Sequence, residues 1–433
     1  MHCLPPAQVV QVSSCSVYLA KSAAPAGADP AVATARAPAI KTSEVERRRQ
    51  RWALIEAPYV TAGHLPYLWS RIAGPRRAWQ AVGAWQSFFE GKLMTGNATF
   101  RYADTAILSV AVADAPIVVT SDEIDSQLLD TYSRVGLKPG MLQLLAGISE
   151  RRWWPADVSF ADAAAMAGAK ALADAGVDPN QVGLLIDTSV CRDALEPSAA
   201  VDVHAQLGLS SSCLNFDLSN ACLGFINGMQ LAAMFLDSGQ IDYALIVDGE
   251  GSRRTQKSTI ARLQQHDVTK ADVMANFATL TLGSGGAAMV LGRASEHPEG
   301  HRFVGGVSRA ATEHNKLCVG DIDGMRTDAR GLLEAGVELA RDAWADATAV
   351  FDWQNLDCYI IHQVSQAHTA AIVDALGIDK TKVPVTFPTR GNVGPASVPF
   401  TLAHFSADLV AGQRVACMGI GSGLNAAVIE IAW

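Results

Sequence analysis

The sequence predicts an α/β protein of two related halves, with apolar sheet buried between helices. Three observations predict it. Strand and helix patterns alternate from Ala103 onward, and a similar order of elements starts again near Phe303. Apolar residues make up 49% of the chain and charged residues only 18%, a balance that suits a compact enzyme with much covered sheet. Short apolar runs such as Gly183–Thr188 and Cys358–His362 read as strands covered on both faces, which implies parallel-rich sheets.

The elements follow in order. Thr105–Val112 reads as a strand, and Ser121–Val135 as a helix with Ser121 as N-cap and acidic residues in its early turns. Phe160–Gly176 is an alanine-rich amphipathic helix ended by glycine. Gly183–Thr188 is a strand, followed by a turn with Glu196-Pro197 and a helix over Ala199–Leu207. Cys213–Leu218 alternates as a short strand and leads into DLSNACLGFING, where Cys222 opens a helix that runs to Gly239. Ile241–Asp248 is a strand, and Thr281–Gly292 a strand pair around a glycine-rich turn. The second series comprises a strand at Phe303–Ala311, a long helix at Thr327–Thr348, and a strand at Cys358–His362. A helix at Ser365–Leu376 stopped by Gly377 follows, then strands Arg414–Gly419 and Ala427–Ala432 around a glycine turn.

The first 97 residues are a different kind of sequence, an N-terminal extension ahead of halves at 98–300 and 301–433. They carry net charge +6 and the remainder −15, within a total of −9. Residues 1–42 read as disordered, and short helices are expected at Glu44–Ile55 and Trp79–Lys92. One reading is that translation begins at Met94, which the intact mass of the native protein would test. No apolar run reaches the ~18–20 residues of a membrane span, and the N-terminus lacks a secretory pattern. The eight cysteines show no CxxC spacing, so neither a metal site nor a disulfide framework is expected, and a cytoplasmic setting is. The acidic balance argues against nucleic acid as a partner.

Cys222 sits where a strand turns into a helix, beside the small residues Ala221 and Gly224. The free N–H groups and positive end of a helix lower a thiol pKa from about 8.5 toward neutrality, so a reactive thiolate is expected. Cys213, Cys358 and Cys417 lie inside apolar strands and read as inert core. His362 ends an apolar strand, where ligands of α/β folds bind, although a lone histidine there is more often a hydrogen-bonded core residue. Asn392 lies in the loop GNVGP, where an asparagine also serves for its tolerance of left-handed backbone. Glu196 is a loop carboxylate, and Gly419–Gly423 either brings amides to an oxyanion or forms a tight hairpin turn.

Together these signals resemble the thiolase superfamily, specifically the β-ketoacyl-ACP synthase III-like condensing enzymes and, within them, the OleA group. The stretches that carry the resemblance are GISERRW, TSVCRDALEPSAA, DLSNACLGFINGM, GGVSRAATEHNKL, IHQVSQAHTAA, GNVGPASVP and GIGSGLN, in order from 147 to 425. The resemblance implies a thiolase-type αβαβα five-layered sandwich. It implies that Cys222 is the nucleophile, completed by His362 and Asn392, that Glu196 is a base reaching the partner subunit's site, and that the amides of Cys222 and Ser422 form the oxyanion hole. The reaction would be non-decarboxylative Claisen condensation of two fatty acyl-CoAs to a 2-alkyl-3-keto acid, with no cofactor beyond the coenzyme A thioesters. A homodimer or a heterodimer with a related subunit is expected, with an acyl-carrier protein as a further partner. The basic loop Arg253–Lys257, with Arg253 and Arg254, either meets CoA phosphates or that carrier protein or is a solvated loop, and Phe225, with Met229 and Met234, either walls an acyl tunnel or is ordinary core. Three other readings stand beside this one: a decarboxylating synthase using malonyl-ACP, a partner subunit of a heteromeric enzyme, and a plain thiolase, whose second C-terminal cysteine the GIGSGLN turn lacks.

Overall fold

One ten-stranded mixed sheet runs through the protein. The computed structural model describes residues 99–433, apart from residue 349 and the side chain at 354. The expected N-terminal extension, its two helices and the Met94 start lie outside the described residues.

The first half contributes β2 (Thr105–Asp114), α4 (Phe160–Ala175), β5 (Val182–Asp187), α5 (Ala199–Leu207), β6 (Leu214–Asp217), α6 (Gly224–Asp237), β7 (Tyr243–Glu250) and β8 (Gly285–Arg293). Among the described residues three short helices precede α4: α1 (Ser121–Gln127), α2 (Leu129–Val135) and α3 (Met141–Ala146), flanked by a small hairpin of β3 (Ile117–Thr120) and β4 (Glu150–Trp153). Two more, α7 (Arg253–Leu263) and α8 (Lys270–Leu280), separate β7 from β8. The second half comprises β9 (His301–Ala310), a hairpin of β10 (Cys318–Asp321) and β11 (Gly324–Thr327), α9 (Ala329–Thr348), β12 (Cys358–Ile361), α10 (Gln366–Leu376), α11 (Phe387–Arg390), α12 (Ser397–Phe405), β13 (Arg414–Gly421) and β14 (Asn425–Ala432). β1 (Thr99–Arg101) adds to the edge of β9.

The strand order exposes the repeat. Outward from the middle the first half runs β2-β8-β7-β5-β6, and the second runs β9-β14-β13-β12. In each half the last strand in sequence inserts next to the first and lies antiparallel to both neighbours. The halves join where β2 meets β9, at Ala106–Arg302 and Ile107–His301. Among the described strands parallel pairing is confined to β5–β6, β5–β7 and β12–β13, which corrects the expectation of parallel-rich sheet. The inserted returning strands make most pairings antiparallel.

Five layers follow from how successive strand residues point to opposite faces. Leu184, Ile186, Ala244, Ile246, Val415, Cys417, Ala427 and Ile429 face a central core with Phe225, Ile226 and Met229 of α6 and Val398 and Leu402 of α12. Their neighbours Leu185, Leu245 and Val247 face α4 and α5. Ala416, Met418 and Val428 face α9 and α10 on the other side. Each half-sheet is thus covered on both faces, which is why its strands are apolar throughout.

Three local expectations change. Ser121–Val135 is two helices broken at Leu128, and its N-cap is Thr120, whose side chain forms a capping box with Glu123. Thr281–Gly292 holds one strand; the residues before it bind the Asn392 loop through Gly283 N donating to Asn392 O at 2.7 Å. Arg253–Lys257 is the first turns of α7, not a loop.

Candidate active site

A cavity of about 1050 Å³ opens at the strand ends of the two halves, and Cys222, His362, Asn392 and Ser422 all line it. Ligand pockets commonly hold about 300–1,000 Å³, so this one is large enough for long substrates. Part of its lining is apolar: Leu332, Val337 and Ala340 of α9, Met418 of β13 and Val428 of β14.

Cys222 stands in the turn between β6 and α6, two residues before the helix begins at Gly224. Ala221 holds φ +44°, a conformation rare for a residue with a side chain and typical of sites where geometry is imposed. The helix start presses on the end of β5: a Cβ at position 224 would lie 2.8 Å from Thr188 O. The second half presses from the other side. A Cβ at 421 would lie 2.9 Å from Asn220 O and 3.2 Å from Leu223 N, so only glycine lets the turn carrying Ser422 approach Cys222 this closely.

The expectation of a lowered thiol pKa is overturned. Burial first, then Cys318, Glu250 and Asp248, together push the Cys222 thiol up to about 12, and its own amide opposes them only in part. A helix start cannot offset desolvation and two nearby carboxyls. Cys222 therefore rests as a thiol, and a base is needed before its sulfur can attack.

His362 supplies an imidazole in the neutral state. It follows β12, with its amide donating to Met418 O at 2.8 Å, and it is 5% exposed. Burial first, then His368, lowers its pKa to about 4. Its Nδ1 is buried with no hydrogen-bond partner among the described residues. Asn392 is clamped by its backbone: its amide donates to Thr281 O at 3.0 Å, and its carbonyl accepts from Gly283. Its Oδ1 accepts from Gly394 N at 3.0 Å, which leaves the Nδ2 donors as the end available for chemistry.

Other predicted residues are distributed differently. Glu196 is exposed in the loop 190–198 and does not line the cavity of its own chain. Arg254 lines the cavity and pairs with Asp323 at 3.1 Å. Arg253 instead donates to Trp154 O at 3.2 Å, and Phe225 is 1% exposed in the central core, so neither reaches the cavity. The cavity's apolar lining comes from α9 and β13–β14 rather than from α6.

Sequence reasoning missed His368, Cys318 and Glu250, all of which line the cavity. Glu250 ends β7, as His362 follows β12; the rule that singled out the histidine applies equally to the glutamate.

Comparison with known proteins adds the following. The family described as 3-oxoacyl-[acyl-carrier-protein] synthase III matches residues 216–309, and its C-terminal family matches residues 347–433. An acyl-CoA:acyl-CoA alkyltransferase of Xanthomonas campestris is 47% identical over 336 residues, covering 77% of this chain and 99% of that protein. One from Shewanella oneidensis is 36% identical over 349 residues, covering 77% of this chain and all of that protein (100%). The crystal structure of a cysteine-to-serine variant of Xanthomonas campestris OleA, with bound lauric acid and lauroyl-CoA, superposes with a TM-score of 0.76 at 47% identity, over 77% of this chain and 100% of that one.

Proposed function

The chain belongs to the OleA group of 3-oxoacyl-ACP synthase III-like condensing enzymes, acyltransferases that join two acyl-CoAs head to head, and from that premise we propose how its residues divide the work. Cys222 is the nucleophile. As an acyl-CoA binds, His362 takes the thiol proton, and Cys222 Sγ attacks the thioester carbonyl. Coenzyme A leaves as its thiol with that proton, and the acyl group stays on sulfur. The amides of Cys222 and Ser422 stabilise the oxyanion; the close packing of their two turns supports this pairing.

A second acyl-CoA then loses an α-proton to Glu196. Its α-carbon attacks the acyl carbon, the C–S bond breaks, and Cys222 regains a proton. Asn392 Nδ2 and His362 hydrogen-bond the enolate oxygen meanwhile. The product is a β-ketoacyl-CoA, and hydrolysis gives a 2-alkyl-3-keto acid. Glu196 is exposed and off its own chain's cavity, which favours action in the partner subunit. A homodimer suits the edge of the sheet: β6 pairs only with β5 among the described strands, and Leu195, Val201 and Leu214 near it are exposed.

The observation that carries this reading is one cavity lined by Cys222, His362, Asn392 and Ser422. The test separates the half-reactions. Cys222→Ala should form no acyl-enzyme, whereas Glu196→Ala should still release CoA but make no condensed product. Normal condensation by Glu196→Ala removes the role given to that residue.

A further inference from the structure

The loop 190–198 is pinned at both ends by buried carboxylates. At its far end Asp217 accepts from Ala199 N and Ala200 N at 3.1 and 2.9 Å and pairs with Arg192 at 3.1 Å. Those bonds close the first turn of α5 and read as a helix cap. At its near end Glu250, 6% exposed, accepts from Val190 N at 2.6 Å and Cys191 N at 3.3 Å through Oε1. Between the anchors the chain projects outward, with Leu195 95% exposed and Glu196 beside it.

Glu250 differs from Asp217 in what else it touches. It lines the catalytic cavity. Its other face packs against the Asn392 loop: a Cβ at Gly394 would lie 3.2 Å from the Glu250 carboxyl carbon and 3.4 Å from Oε2. The Gly394 amide is the one bonded to Asn392 Oδ1. Glu250 therefore sits between the root of the Glu196 loop and the residue that orients Asn392.

We infer that Glu250 is a positioning residue for the condensation step, its carboxylate fixing the root of the Glu196 loop that serves the partner's site while it backs the Asn392 loop of its own. The inference rests on the role proposed for Glu196 and adds to it how that base is placed. A carboxylate accepts amide hydrogen bonds about twice as strongly as a neutral group, so its charge state matters. Glu250 faces Cys191 from its loop, Cys222 from the nucleophile turn, Asp248 from its own strand and Asp187 from β5; the Asn392 loop presents only Gly394. Burial raises its pKa to about 7 despite the amide and thiol bonds. The anchoring charge is accordingly present above neutrality and lost as pH falls through about 7.

The test measures condensed product per CoA released from pH 6 to 9 in wild type, Glu250→Gln, Glu250→Asp and Glu196→Ala, with lauroyl-CoA as substrate. Wild type should show the ratio rising through about pH 7. Glu250→Gln should lower the ratio about tenfold at pH 8 and flatten its pH dependence, consistent with the ~10²-fold ceiling for misplacing a reacting group by 1 Å. Glu250→Asp, which keeps the charge, should keep the rise with pH. CoA release by the same preparations reports that each variant is folded. A wild-type ratio and pH profile in Glu250→Gln overturns the inference, as does an equal fall in CoA release and condensation. Failure of the Glu196 role shows separately, as normal condensation by Glu196→Ala.

Discussion

At the scale of single residues, the proposed catalytic pair starts from neutral groups. The Cys222 thiol is raised to about 12 and the His362 imidazole is lowered to about 4, so neither is charged at physiological pH. Two predictions follow from the signs. Alkylation of Cys222 by iodoacetamide should keep accelerating with pH through 9 and beyond; a plateau near pH 7 would mean a preformed thiolate. Acyl-enzyme formation should be nearly independent of pH from 5 to 8, because His362 stays an unprotonated base across that range and would lose that role only near pH 4. His362→Ala should slow acylation by about 10²–10⁴-fold, measured as single-turnover CoA release. Cys222 was legible in the sequence because small polar residues interrupt an apolar strand and helix just there. Its pKa was not, because the burial that sets it first, and the neighbouring Cys318, Glu250 and Asp248, arise only in the fold.

At the scale of elements, glycines decide how near the two halves come. Gly421→Ala would place a Cβ against Asn220 O and Leu223 N, so the Ser422 turn must retreat from Cys222. The expected result is a loss of about 1–3 kcal/mol in stability, read by denaturant titration, together with acylation slowed by roughly 10²-fold. Wild-type acylation in that variant would dissociate the turn from the oxyanion hole. On the apolar side of the cavity, Val337→Trp should shorten the preferred acyl chain, read from product masses across acyl-CoAs of different length. The sequence showed α9 as a long helix, but periodicity could not say that its face lines a cavity instead of plain core. The reverse holds for Phe225: its helical spacing after Cys222 fitted a tunnel wall, and the fold uses it as core. For Arg253–Lys257 the basic residues drew attention away from Gln256, Thr259, Ile260 and Leu263, whose spacing marks the buried face of a helix.

At the scale of the whole molecule, the repeat was visible as element order recurring after Phe303, and the strand order repeats accordingly. Strand direction was not visible, because a returning strand inserted beside the first has the same apolar pattern as a parallel one. The same scale holds the question of assembly. If Glu196 serves the partner's site, co-expressed Cys222→Ala and Glu196→Ala chains should recover condensation that neither variant shows alone, since a mixed dimer contains one complete site. If two copies pair at the open sheet edge, a charge there, Leu214→Glu, should weaken the dimer, read by sedimentation.

The account depends most on a reactive Cys222 that condenses two ordinary acyl-CoAs with a proton-removing base instead of decarboxylation. Incubation of the purified protein with lauroyl-CoA alone, followed by mass spectrometry of protein and small molecules, tests this directly. The predicted result is a lauroyl adduct on Cys222 and a condensed 3-keto product, with no malonyl thioester supplied. An adduct that yields condensed product only after malonyl-ACP is added would contradict it.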